Sequence, residues 1–237
     1  MEHGHSLSEI RARLEKQNRA NYLGDFVYGG IDGTVTTFAL VAGVQGAGLP
    51  HAIVLILGFA NILADGFSMA ASNYSGTKAD FDNFKRLHEI ESRHVDAVPD
   101  GERSEVREIL RYKGVPDSKL EQNVEAITTN RETWINYMLL EEYGVSVSTK
   151  NPLQAGIATF FAFLICGFVP LFPFVIGLDQ AFWISSIATG LTFFSIGTLK
   201  SRWSVAPWWK SGLETLIIGS IAAVLAYLVG NAIGNIA

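Results

Sequence analysis

Apolar residues dominate five long stretches of the chain, roughly 26–48, 51–75, 153–177, 181–199 and 212–235. A helix needs ~20 mostly apolar residues to cross ~30 Å of hydrocarbon, so each stretch predicts a transmembrane span. The first two are separated by "GAGLPHA", the third and fourth by "GLDQ", and the last two by "KSRWSVAPWWKS". Between the second and third spans the pattern turns polar but stays helical. "KADFDNFKRLHEIESRHVDAV" continues directly from the second span. "DGERSEVREILRYKG" follows, with Asp100 as N-cap and Gly114 as a C-terminal stop. "DSKLEQNVEAITTNRETWINYMLLEEYG" opens on a Ser118-x-x-Glu121 capping-box pattern and stops at Gly144. Three such helices bury little alone, so they are expected to pack on each other and on a second copy.

The expected fold is all-α: five transmembrane helices with a cytosolic three-helix domain between the second and third spans. The boundaries read as 1–25 for an N-terminal segment, 26–77 for spans one and two, 78–150 for the helical domain and 151–237 for spans three to five. Within 1–25, Leu7, Ile10 and Leu14 share one helical face among basic residues, the pattern of an interfacial helix. A solvated tail is the alternative.

The charges sharpen this division. Residues 78–150 hold 15 of the 23 acids and 11 of the 18 bases, whereas 26–77 carry only Asp32 and Asp65. Residues 151–199 carry only Asp179, and the chain from 211 onward only Glu214. Arg11, Arg13, Lys16 and Arg19 precede the first span, and Lys200, Arg202 and Lys210 follow the fourth. The 45–52 and 178–180 turns have no Lys or Arg. Positive charge marks the cytosolic side, so the N-terminus and the 78–150 segment are expected in the cytosol and the C-terminus opposite. A net charge of −5 argues against nucleic acid as a partner. The single Cys166 excludes an internal disulfide. The N-terminus, with Glu2, His3 and His5, does not read as a cleavable signal peptide.

The polar residues inside the spans carry the candidate chemistry. Asn61, Asp65, Met69 and Asn73 recur every four residues, one ridge of a helix. Asp25, Asp32 and Thr36 form a similar ridge in the first span. A short turn makes these helices antiparallel neighbours, so the ridges can face one another. A carboxylate at bilayer depth costs ~2.5–3.5 kcal/mol on insertion scales, and function is its default reading. Carboxylate and amide oxygens suit hard divalent ions, and a thioether tilts the choice toward a transition metal. The structural alternative has Asp32 and Asp65 hydrogen-bonded within the bundle and Met69 as a core filler. Gly29, Gly30 and Gly33 allow close helix approach or local unwinding beside Asp32.

In the helical domain, Glu91-x-x-His94, Glu102-x-x-Glu105 and Met138-x-x-x-Glu142 each place two ligand types on one face of a different helix. Converging, they would make a metal-binding cluster; separately, they are solvated surface residues. Di-iron bundles need two Glu-x-x-His motifs, and no histidine lies in the second or third helix, which argues against an oxidase centre. Glu214 opens the fifth span beside Lys210, either as an N-terminal carboxylate favoured by the helix dipole or as a proton-coupling group. No nucleophile–base pair or phosphate-binding loop points to an enzyme.

"GGIDGTVTTFALVAGVQGAG", "NILADGFSMAASNYSGTKADFD" and "PWWKSGLETLIIGSIAA" together resemble the vacuolar iron transporter family, which includes the yeast vacuolar iron/manganese carrier. The resemblance runs in order from about residue 24 to the C-terminus. It implies five spans, a homodimer with a pore between protomers, and a cytosolic metal-binding domain. It further implies export of Fe2+, and in some members Mn2+, from the cytosol in exchange for protons. Asp32 and Met69 match the family's pore residues; Glu91, Glu102, Glu105, Met138 and Glu142 match its metal-binding positions. Asn61 stands where a glutamate is frequent, with Asp65 one turn on. His94 replaces a glutamate and Leu139 a methionine, departures that leave room for Zn2+ or Co2+. The resemblance implies no prosthetic group, Fe2+ being both substrate and bound ion. The short N-terminus favours a bacterial cell membrane, with a vacuolar membrane as the alternative. The rival function is a non-transporting membrane metal sensor or scaffold.

Overall fold

The computed structural model describes residues 4–17, 20–146 and 150–236, without the side chains of 15–17 and 203. Glu2, His3 and the side chains of Lys16 and Arg19 lie outside the described residues. Nine α-helices and a short 3-10 turn at Ser201–Trp203 make up the described chain, with no strand among the described residues. They are α1 (Leu7–Gln17), α2 (Leu23–Gly46), α3 (His51–Ala97), α4 (Pro99–Tyr112), α5 (Asp117–Thr128), α6 (Arg131–Glu141), α7 (Pro152–Val175), α8 (Ala181–Lys200) and α9 (Trp208–Gly234). Five of them, α2, α3, α7, α8 and α9, are long and apolar enough to cross a membrane. The chain forms two compact units, 21–76 with 152–237 and 1–20 with 77–151. The first half of α3 belongs to one and the second half to the other.

In the membrane unit α2 packs against α7, α8 and α9. Gly48 (φ +67°) and Gly177 (φ +68°) take the left-handed conformation in the two tight turns, where a Cβ would be strained. A Cβ at Gly29 would strike the Thr159 carbonyl, and one at Gly33 would sit 2.5 Å from the Phe163 carbonyl. These glycines therefore serve close approach of α2 to the α7 backbone. The helix is unbroken beside Asp32, so local unwinding is not their role. Phe38, Val41, Val44, Val54, Ile62, Leu171 and Phe174 pack as one apolar core. By contrast α9 keeps Ile217, Ile221, Val224, Leu225 and Leu228 exposed, as expected of a face turned to lipid or to another membrane helix.

The second unit is built on amphipathic helices. Val95, Val106, Leu110, Leu120, Val124, Trp134, Ile135 and Leu139 form its core. Arg131 grips Asp96 through two nitrogens at 2.8 and 2.7 Å and donates to the Ser92 hydroxyl at 2.6 Å, tying α6 to α3. In α1, Leu7 and Leu14 are exposed, leaving the apolar face expected of an interfacial helix uncovered.

Three local expectations are corrected. The single helix expected over 117–144 is two, because the Asn130 side chain accepts from the Thr133 amide at 2.9 Å and caps a new helix. Asp100 is not an N-cap: Val98 occupies that place without a side-chain bond, and Pro99 starts α4 at a position that lacks no needed N–H. Ser118 and Glu121 form no capping box, since Pro116 precedes the helix and Glu121 instead accepts from Arg107 at 2.5 and 3.0 Å. The stops at Gly114 (φ +82°) and Gly144 (φ +68°) stand as expected.

Candidate metal centre and membrane pathway

A single residue, Val98, joins the end of α3 to the start of α4. That joint brings the first turn of α4 back beside the last turns of α3. Glu91 and His94, three apart on α3, then meet Glu102 of α4. One ligand atom from each lies within 4.8 Å of the others. His94 Nδ1 is 3.3 Å from Glu102 Oε1 and 3.9 Å from Glu91 Oε1. The histidine is half-exposed, but Glu91 and Glu102 are only 1% and 2% exposed. Buried carboxylates are expensive unless paired or coordinated to a cation. Here each spends one oxygen and leaves the other idle. Tyr143 donates its hydroxyl to Glu91 Oε1 at 3.0 Å, while Glu91 Oε2 and Glu102 Oε2 have no hydrogen-bond partner among the described residues. Two idle buried carboxylate oxygens in a group that also holds an imidazole fit a divalent cation.

The electrostatics point the same way. Burial, and then the charges of Glu91, Glu105 and Glu142, push the Glu102 carboxyl up to about 7, against the opposing effect of His94. Burial, Glu91 and Glu105 likewise raise Glu142, with a hydrogen bond from Tyr143 opposing them. Both shifts record burial first and then neighbouring negative charge with too little positive charge to answer it. Glu105 and Glu142 themselves are exposed at the rim. Met138 is wholly buried in the apolar core, so its thioether has a packing role in this structure.

In the membrane unit the two polar ridges do meet. Asn61 donates to Thr36 Oγ1 at 3.4 Å, and Thr36 donates to the Asp32 carbonyl at 2.9 Å. Asn73 donates to Asp25 Oδ1 at 3.0 Å and to Thr159 Oγ1 at 2.7 Å. Asp65 lies close enough to Asp32 for the two carboxylates to interact. Asp32, Asn61, Asp65 and Met69 are all half-buried, in keeping with a polar stripe that stays accessible. Asp25 is buried at the end of the same stripe.

Glu214 is corrected. It lies in the second turn of α9, not at its start, and its exposed carboxylate pairs with Lys200 at 3.3 Å. Lys210 instead sits over the Trp209 ring. Two polar contacts escaped the sequence reading. Thr159, on α7, has no periodic partner in its own span, and Tyr143 reads as an ordinary aromatic at a helix end. Only the adjacency of Tyr143 to Glu142 hinted at its place.

The sequence profile of the VIT family matches residues 23–231. "Vacuolar iron transporter 1" of Eucalyptus grandis is 32% identical over 212 residues, 88% of this chain and 85% of that protein. "Vacuolar iron transporter 1" of Arabidopsis thaliana is 30% identical over 213 residues, 88% of this chain and 85% of that protein. "Vacuolar iron transporter" of Plasmodium berghei is 30% identical over 222 residues, 89% of this chain and 81% of that protein.

Proposed function

The chain belongs to the VIT family, and from that premise we propose that it transports Fe2+, and Mn2+ as a second ion, out of the cytosol in exchange for protons. Transport is the function its relatives' names carry. The observation that supports transport over sensing is the contact between the two polar ridges inside the membrane unit, Thr36 with Asn61 and Asp32 near Asp65. A sensor or scaffold has no use for carboxylates at that depth, where each is costly. In this reading Asp32, Asn61, Asp65 and Met69 line the path. A carboxylate must be deprotonated to hold the ion, so protonation from the far side releases it and couples the two fluxes.

Glu91, His94 and Glu102 capture the ion before it enters, with Glu105 and Glu142 at the rim of the cluster drawing cations in. The capture unit faces the cytosol, consistent with its Lys and Arg content. The working protein is a homodimer, and no prosthetic group takes part. Glu214, tied to Lys200, is left outside the coupling path. The test is Fe2+ uptake into proteoliposomes under an imposed pH gradient. Flux that follows the size and sign of the gradient is expected; Fe2+ flux indifferent to the gradient removes antiport, and no flux at all returns the protein to the sensor class.

A further inference from the structure

Tyr143 stands just beyond α6, 37% exposed, in the turn that ends at Gly144. Its hydroxyl reaches back 52 positions along the chain to Glu91 Oε1 at 3.0 Å and also touches the Glu142 carboxylate. We infer that Tyr143 is a positioning residue that holds Glu91 in a one-oxygen binding mode and so sets the cluster's preference for transition ions over Ca2+. The inference rests on the proposed capture of metal by this cluster.

The argument is geometric. Glu91 is 1% exposed, so its carboxylate has little room to turn. With Oε1 engaged by the phenol, the buried and unpartnered Oε2 is the atom left for an ion. Glu102 repeats the arrangement, with Oε1 toward His94 Nδ1 and Oε2 unpartnered. The cluster therefore leaves one oxygen of each glutamate unpartnered, in a group that also holds one imidazole. Few ligands with a nitrogen among them suit Fe2+, Co2+ or Zn2+. Ca2+ wants 6–8 oxygens and commonly takes carboxylates through both. Freeing Oε1 would let Glu91 chelate through two oxygens and would move the site toward the Ca2+ pattern. Hydrogen-bond partners of ligating groups are worth about 10–100-fold in metal affinity.

The test uses the full-length protein in detergent, with Co2+ as an air-stable probe and Ca2+ as the competitor. Tyr143→Phe removes only the hydroxyl; Tyr143→Leu removes the ring as well. Both variants are expected to weaken Co2+ binding by about 10–100-fold and to lower the Co2+/Ca2+ affinity ratio by at least about tenfold. The visible d–d band of bound Co2+ should also weaken as the coordination number rises. Co2+ affinity and ratio unchanged in Tyr143→Phe overturns the inference. So does loss of binding in Tyr143→Leu alone, which would make the ring a packing element. Glu102→Gln is the separate control on the premise: if it leaves Co2+ binding at the wild-type value, capture by this cluster fails on its own terms, whatever Tyr143 does.

Discussion

Glu102 should make metal capture steeply dependent on pH. Its carboxyl stands at about 7 instead of 4.5, which corresponds to roughly 3 kcal/mol against ionisation at 1.36 kcal/mol per pH unit. Water entering beside the half-exposed His94 screens part of this, and about 1–2 kcal/mol is the expected effect on stability. The groups facing Glu102 are Glu91 and His94 from α3, Glu105 from its own helix and Glu142 beyond α6. The folded-state value lies above the unfolded one. Glu102 therefore favours the fold fully below about pH 4.5, and that contribution is lost as pH rises through about 7. Glu102→Gln has no such loss, so the metal-free variant should be about 1–2 kcal/mol more stable than wild type at pH 8 and equal to it near pH 5. Binding runs the other way. The ion needs the ionised carboxylate, so wild-type Co2+ affinity should fall at least about tenfold from pH 8 to pH 6 as Glu102 takes up its proton. Calorimetric titration of the whole protein at pH 6, 7 and 8, with thermal unfolding of the metal-free form, measures both. A wild-type affinity that is flat across this range, or a Glu102→Gln protein that binds like wild type, refutes the reasoning.

The remaining predictions concern the membrane unit. Asp32→Asn keeps size and hydrogen bonding but removes the charge; Fe2+ flux in liposomes should vanish while assembly and the Co2+ titration of the other unit stay normal, and near-normal flux would dismiss Asp32 as a transport ligand. Met69→Leu preserves volume, so a packing role costs under about 1.5 kcal/mol, whereas a thioether ligand predicts lost Fe2+ flux with less harm to Mn2+; equal flux for both ions would leave only packing. Asn73→Ala removes the amide that bonds Asp25 and Thr159 and should lower stability by about 2 kcal/mol, read as a drop in melting temperature in detergent; an unchanged melting temperature would show that this clasp carries no stability.

The spans were legible because the bilayer imposes a long, uniform requirement on sequence. A stretch such as 153–177 has one dominant constraint, and composition alone expresses it. Even Pro170 and Pro173 inside α7 leave the helix continuous, as membrane helices tolerate proline; the Ser185 hydroxyl of α8 donates to the Pro170 carbonyl at 2.7 Å beside them. Helix ends in the polar unit follow several short-range signals of about 1 kcal/mol each, and there the sequence reading slipped. Asn130 outcompeted the continuous helical pattern across it, and Pro99 displaced Asp100 as the start of α4.

The site divides along the same line. Residues at fixed spacing on one helix, Glu91 with His94 or Asp65 with Met69, declare themselves through periodicity. What periodicity cannot supply is the joint between elements. The one-residue link at Val98 turns two ordinary acidic helix faces into a buried group within 4.8 Å. Burial then does what spacing alone could not, leaving two carboxylate oxygens idle and raising Glu102 to about 7. Met138 shows the converse. Its spacing from Glu142 matched the motif, yet α6 turns it wholly into the apolar core. A motif names the residues that share a face, but packing decides the surroundings each of them meets. The sharper criterion for a capture site in this fold is thus the buried carboxylate with one oxygen bound and one free, which Glu91 and Glu102 meet and the exposed Glu105 does not.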